Sequence, residues 1–392
     1  MNAIVYGGRG GFLQSYDVVV IDTALDGNAY EQYAGFVAFL AVKDGEVCAF
    51  DESLLLEHSS HGGECLRHFE LGSGTTASHF ILLQHDESSR CNIKDLLTAL
   101  GWCIDNGISL INLSMGTTQY CDAGLFSDVM RRISEAGICL IAGASNVREL
   151  SYPACFTECI GVCYDYTREY VASGFAYIEN PLDGIDIVLN PKVEGTEPID
   201  STSMATAYFS GLVVKAIGGG TANPDNVKTW IAENSERISA TSLYGYTLDA
   251  IVHDVIDDIV VIGIENLSQN AAGLGFWRDL QAIFHQKEYY CLTVLPKGTV
   301  SHLDGFFRQE FVQPVSSQCS YGEYIRLIEK LCKPNVILAD LDVGSIDFDV
   351  AVCKYGIHGG YDDAFVVHYE GLSPRDVFEH IESHFVGESV SP

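Results

Sequence analysis

Three polar residues fall at places where a chain can expose chemistry. Asp22 closes the apolar run VVVID, His61 opens HGGECLRHF, and Ser203 lies at the start of STSMATAYF. A serine hydroxyl is a feeble nucleophile near neutral pH, so it needs an imidazole to take its proton. That imidazole needs a carboxylate to fix its tautomer and stabilise its charged form. Asp, His, Ser is one of the three chain orders in which such a hydrolytic constellation occurs. Each residue also has a plainer role when taken alone. A strand-end aspartate caps a turn, and a serine at a helix start satisfies backbone donors. His58, His61 and His68 lie close together, and His61 is singled out by the glycine after it and by its place at a helix start. Asn146, after an apolar run and before a polar loop, is an amide suited to face an oxyanion.

These residues need elements to hold them. VVVIDTALD, ISLINLSMG and AGICLIAGASN read as buried parallel strands that end in polar loops. CNIKDLLTALGWCIDNG and DAGLFSDVMRRISEAG place apolar residues three and four apart and end in glycine, which predicts helices between the strands. SMATAYFSGLVVKAIGGG is small and apolar on most faces, the pattern of a helix buried inside a layer. Alternating strands and helices predict a parallel α/β sheet with function at the carboxyl ends of its strands. SATSLYGYT closes this pattern, and a boundary near residue 245 divides the chain into 1–245 and 246–392. The second part offers strands DIVVIGIEN, YYCLTVLP and NVILADLD and helices FWRDLQAIFHQKE, YGEYIRLIEKLCK and PRDVFEHIESHF, a smaller α/β domain. It carries no phosphate loop or dinucleotide fingerprint, and its acidic run LADLDVGSIDFD reads as a strand end with a solvated loop.

At this point the chain resembles the subtilisin-like serine proteases. VVVIDTA, with Asp22 and Thr23, is similar to the family's aspartate motif, and HGGE, with His61 and Gly62, to its histidine motif. NLSMG, with Ser114, Met115 and Gly116, resembles the substrate-strand motif N-x-S-x-G, and GASN, with Asn146, the oxyanion motif. YPACFTECIGV and STSMATAYFSGL resemble the Y-P-A segment and the serine motif. These matches occur in the family's order over roughly residues 15–240. The resemblance implies a three-layer parallel-sheet peptidase domain, a triad of Asp22, His61 and Ser203, an oxyanion hole at Asn146, and an extended substrate pairing with residues 114–116. The chain departs from the pattern at Ala24, at Gly63 and Glu64, at Ala207 and Tyr208, and at Ser201, where a glycine normally lets substrate and backbone approach closely.

Composition bounds the rest. The 392 residues are 47% hydrophobic and 19% charged, a globular mix that excludes disordered, collagen-like and coiled-coil chains. No apolar run approaches the ~18–20 residues that span a bilayer, and the N-terminus lacks the pattern of a secretory signal. A net charge of −31, with both halves acidic, repels nucleic acid and anionic membranes, so neither is expected as a partner. Thirteen cysteines without a regular framework fit reduced thiols in the cytoplasm. Cys155, Cys159 and Cys163 lack zinc-ribbon spacing, and no metal or other cofactor is expected. Too little chain precedes Val18 for the prodomain that secreted members of the family carry. The expected activity is therefore limited intracellular processing of a peptide or protein, such as leader removal from a precursor peptide. The second domain would then serve substrate recognition or homo-oligomer contacts. Two other readings fit the same residues: a binding module that has lost turnover, and an acyl transferase that cyclises peptides.

Overall fold

The computed structural model describes residues 17–83, 91–119, 122–146, 150–156, 158–166, 171, 174–179, 185–190, 199–217, 223–239, 259–265, 271–295, 306–308, 320–341, 347–354 and 364–388. The expected boundary near residue 245 lies outside the described residues, as do residues 1–16. Among the described residues, ten strands form the first sheet: β1 (Val18–Asp22), β2 (Ala38–Lys43), β3 (Glu46–Ala49), β4 (His79–Leu82), β5 (Leu110–Leu113), β6 (Cys139–Gly143), β7 (Cys159–Tyr164), β8 (Gly174–Glu179), β9 (Ile187–Asn190) and β10 (Glu236–Ser239). Their order is β10-β8-β9-β7-β6-β5-β1-β4-β2-β3, and every neighbouring pair is parallel except β2–β3 and β8–β9.

Helices cover both faces, which is why the central strands are apolar at successive positions. In β1, Val18 and Val20 face one helical layer and Val19 and Ile21 the other. The helices are α1 (Gly27–Tyr33), α2 (His61–Ser73), α3 (Ile93–Asp105), α4 (Ala123–Glu135), α5 (Thr202–Ile217) and α6 (Pro224–Asn234). Residues of α3 and α4 bury against the Val19 face, and those of α1, α2, α5 and α6 against the Val20 face. Phe69, Phe80 and Phe209 are fully buried in the latter layer. Each such side chain is worth about 1.5–3 kcal/mol of burial.

Local sequence sets the helix ends. Ser60 caps α2 by accepting from Gly63 N, and Gly74, at φ 72°, ends it in the left-handed conformation. Asn223 caps α6, whose first turn carries Pro224. Helices α2 and α5 touch backbone to backbone. A Cβ on Gly72 would lie 2.2 Å from Tyr208 O, and one on Gly211 would lie 2.3 Å from Phe69 O.

The second sheet comprises β11 (Val260–Ile264), β12 (Cys291–Leu295), β13 (Phe306–Arg308), β14 (Val336–Asp340), β15 (Val350–Cys353) and β16 (Phe365–His368). Its order is β13-β12-β14-β11-β15-β16, and all its pairings are parallel. Trp277, Leu280 and Phe284 of α7 (Ala271–Gln286) pack with Phe378 and Ile381 of α9 (Pro374–Glu388) on one face. Ile325 and Ile328 of α8 (Tyr321–Cys332) are buried with strand residues whose side chains alternate to the other face, such as Ile337 and Ala339. The strands and helices expected after residue 245 thus form a second, parallel sheet covered by helices. One detail differs from the sequence reading: Asp340, in the acidic run, is fully buried at the end of β14, where its backbone N–H donates to the Tyr321 hydroxyl. Residues 342–346 of that run lie outside the described residues. Among the described residues, no helix is long and apolar enough to cross a membrane.

Candidate active site

Asp22 ends β1 and is fully buried. Its Oδ1 accepts from Thr23 N at 2.7 Å, and His61 Nδ1 lies 2.8 Å from Oδ1 and 3.0 Å from Oδ2. His61 is placed there because the first turn of α2 packs against the loop that follows β1. Gly62 N donates to Ala24 O at 3.0 Å, and a Cβ on Gly62 would lie 2.1 Å from that oxygen, so only glycine permits the approach. Buried Asp26 fixes the same corner, accepting from Ser60 N, Ser60 Oγ and Ala29 N at 3.0, 2.7 and 3.0 Å. Burial opposes ionisation of Asp26, but these hydrogen bonds prevail and hold its carboxyl below the usual range.

With Nδ1–H given to Asp22, a neutral His61 presents Nε2 as a proton acceptor. The Asp22 hydrogen bond raises the imidazole's affinity for a second proton. Burial works against this, and the charges of Asp22 and Glu64 add to it. The side chain is 42% exposed and open to a reactant. Glu64, which departs from the family's histidine motif, pairs with Arg67 and accepts from Ser59 Oγ.

Cys65 follows one helical turn after His61, with Sγ 4.0 Å from Nδ1. Asp22, His61 and Cys65 are the group of metal-ligating types that comes close enough to share an ion among the described residues. Burial pushes the Cys65 thiol well up, so it stays neutral, and the ring nitrogen it approaches is already engaged by Asp22. It packs the site. Cys155, Cys159 and Cys163 are likewise buried in the apolar cluster on the Val19 face.

Ser201 explains its own departure from glycine. Its Oγ accepts from Met204 N at 3.3 Å and its carbonyl from Ala205 N at 3.0 Å, so it caps α5. Ser203 is thereby relieved of capping, and its Oγ donates to Ser114 O at 3.0 Å. Among the described residues no hydrogen bond joins Ser203 to His61. Ser114 meets Ser203 through both of its polar groups: its hydroxyl donates to Ser203 O at 3.5 Å, and its carbonyl accepts the Ser203 hydroxyl. Asn112, the first residue of the NLSMG motif and given no role in the sequence reading, orients Ser114. Wholly buried in β5, it donates from Nδ2 to Ser114 Oγ at 3.0 Å and accepts at Oδ1 from Ser210 Oγ of α5 at 2.9 Å. The signal for it was an amide inside an otherwise apolar strand.

Ser203, Asn146, Ser114, Met115 and Gly116 line one cavity of about 200 Å³, whose remaining walls are serine, threonine, glycine and alanine. It lies at the carboxyl ends of β5 and β6, where a parallel sheet presents its ligands. Thr117 exchanges backbone hydrogen bonds of 2.9 and 2.8 Å with Tyr152, which fixes the end of the 114–116 segment. Asn146 Oδ1 accepts from the Tyr166 hydroxyl at 2.7 Å, a contact with no counterpart in the sequence reading. A larger cavity of about 450 Å³ runs along α2 past Asp26, Glu64 and Arg67. It contains none of Asp22, His61 and Ser203; Glu64 and Arg67 pair with each other, and Asp26 is held by Ser60.

No family model matches the chain. It is 24% identical over 259 residues to a thermostable alkaline protease of Halalkalibacterium halodurans, covering 62% of this chain and 68% of that protein. It is 28% identical over 161 residues to the halolysin of Haloferax mediterranei, covering 40% of this chain and 31% of the halolysin. Among solved structures, the prenylagaramide maturation protease PagA is 20% identical with a TM-score of 0.36, over 54% of this chain and 80% of that one. The chain is similar in sequence to subtilisin-like proteases, and its helix-covered, largely parallel sheet with a second α/β unit is the expected fold class.

Proposed function

We propose that this chain is a serine endopeptidase that works through Asp22, His61 and Ser203. The observation that carries the reading is the buried Asp22 carboxylate on His61 Nδ1 at the end of β1, the strand paired with β5, whose following residues line a cavity with Ser203 and Asn146. An extended peptide pairing with residues 114–116 would donate a backbone N–H to Ser114 O, the acceptor that now holds the Ser203 hydroxyl. Displaced, Ser203 turns about χ1 to another staggered well and gives its proton to His61 Nε2 as Oγ attacks the scissile carbonyl. Hydrogen bonds of this kind are commonly absent before substrate binds. Asn146 Nδ2 and Ser203 N–H stabilise the oxyanion, and His61 returns the proton to the leaving amine. Water then attacks the acyl-enzyme along the same route.

The substrate we propose is a precursor peptide cut at a defined bond inside the cell. Two observations support selective processing. The small, uncharged cavity favours a small neutral side chain beside the bond, and the second α/β unit offers recognition surface beyond the cleft. A fluorophosphonate probe tests the enzyme reading. Covalent labelling of the wild type that disappears in Ser203→Ala supports it, and folded wild-type protein that takes no label supports a binding module instead. Product masses separate hydrolysis from cyclisation, because the cyclic product weighs one water less.

A further inference from the structure

We infer that Tyr166 is the positioning residue for the oxyanion amide: its phenol decides which end of Asn146 faces the reacting carbonyl. The inference rests on the reading of Asn146 as an oxyanion donor. The two ends of an asparagine amide are nearly alike in shape but opposite in function. A half-turn about χ2 replaces two N–H donors with a carbonyl oxygen that would repel a developing negative charge. Asn146 lies exposed on the loop after β6, where packing does little to choose between these orientations. The Tyr166 hydroxyl, at 2.7 Å, donates to Oδ1 and so occupies that oxygen. Among the described residues Nδ2 has no protein partner, so its protons remain for a ligand in the space shared with Ser203.

The phenol can hold an exposed amide because its own base is fixed. Strands β6 and β7 are parallel neighbours with Gly143 opposite Val162, a register that brings the two strand ends, and so residues 146 and 166, together. Tyr166 packs edge to face on Tyr164, with centroids 5.0 Å apart and planes at 85°. Between them, Asp165 is buried, donating from N to Leu189 O at 2.9 Å and accepting from Val171 N at 3.1 Å. The hydroxyl therefore projects from an anchored strand end toward the exposed amide of Asn146.

Steady-state kinetics of the full chain on a cleaved peptide test this with Tyr166→Phe, Asn146→Ala and the double variant. Phenylalanine keeps the ring contact and removes only the donor. Tyr166→Phe is expected to lower kcat by about three- to tenfold, the weight of one net hydrogen bond, with KM unchanged. Asn146→Ala is expected to lose about 10²–10³-fold in kcat, the magnitude known for subtilisin. The double variant should be no slower than Asn146→Ala, because the phenol then has nothing to orient. Wild-type kcat in Tyr166→Phe would overturn the inference, as would a Tyr166→Phe loss that persists in the Asn146→Ala background. If Asn146→Ala keeps full kcat while Ser203→Ala is inactive, the oxyanion assignment itself fails and the inference falls with it.

Discussion

At the scale of residues, the site depends on where one proton sits. Burial and the Thr23 N–H fix Asp22, Asp22 fixes His61 Nδ1–H, and Nε2 is left as the base of the proposed mechanism. The raised affinity of His61 for a proton sets the pH dependence. Only the neutral ring can accept from Ser203, so the acid limb of kcat/KM should have its midpoint above the ordinary imidazole value of 6.5. Asp22→Asn removes the charge and the carboxylate hydrogen bond, the main causes of the rise, and leaves the smaller contribution of Glu64. It should move that midpoint down while lowering the plateau by several orders of magnitude; an unmoved midpoint would contradict the pairing. The same shift bears on stability. Protonated His61 favours the folded chain, a contribution that is full below 6.5 and fades as pH rises through the raised value. Asp26 works in the opposite sense. Its lowered value gives stability that is present above 3.8 and lost as pH falls through the folded value.

At the scale of elements, the central requirement is the junction of α2 with α5, since one carries His61 and the other Ser203. Their contact depends on Gly72 and Gly211, each facing a backbone oxygen that cannot swing aside. Gly211→Val should therefore cost about 1–3 kcal/mol or more. It should also reduce activity beyond the loss of folded protein, measured as thermal midpoint and as activity per folded molecule. Unchanged values would mean the helices are not locked here. Ser201→Ala should cost about 0.5–2 kcal/mol through the lost cap, read from denaturant unfolding. Much of this was legible in the sequence. The runs around Asp22, Asn112 and Ala142 are apolar at both parities and became β1, β5 and β6, and the small-residue helix became the buried α5. The Ser201 cap and the Tyr166–Asn146 contact were not legible. The first competes with a motif glycine, and the second depends on strand register between residues 20 positions apart.

At the scale of the whole molecule, a net charge of −31 sets a field that local motifs do not reveal. It should draw cationic peptides to the protein faster than anionic ones of equal length. The difference should shrink between low salt and about 0.5 M salt, as screening lengths fall below 10 Å. Stopped-flow association rates that show no dependence on peptide charge would count against this. The second sheet was legible as strands and helices because its central strands are buried on both faces, as are those of the larger sheet. Its short edge strands, Phe306–Arg308 and Phe365–His368, were not, since three or four residues carry too little periodicity.

The most direct test of the central claim is the peptidase rate of His61→Ala, of Ser203→Ala and of the pair together. Residues that act as one unit should each abolish most of the rate acceleration singly, and the double variant should be no slower than the worse single one. A double variant whose losses multiply, or a single variant that keeps substantial turnover, would contradict the assignment.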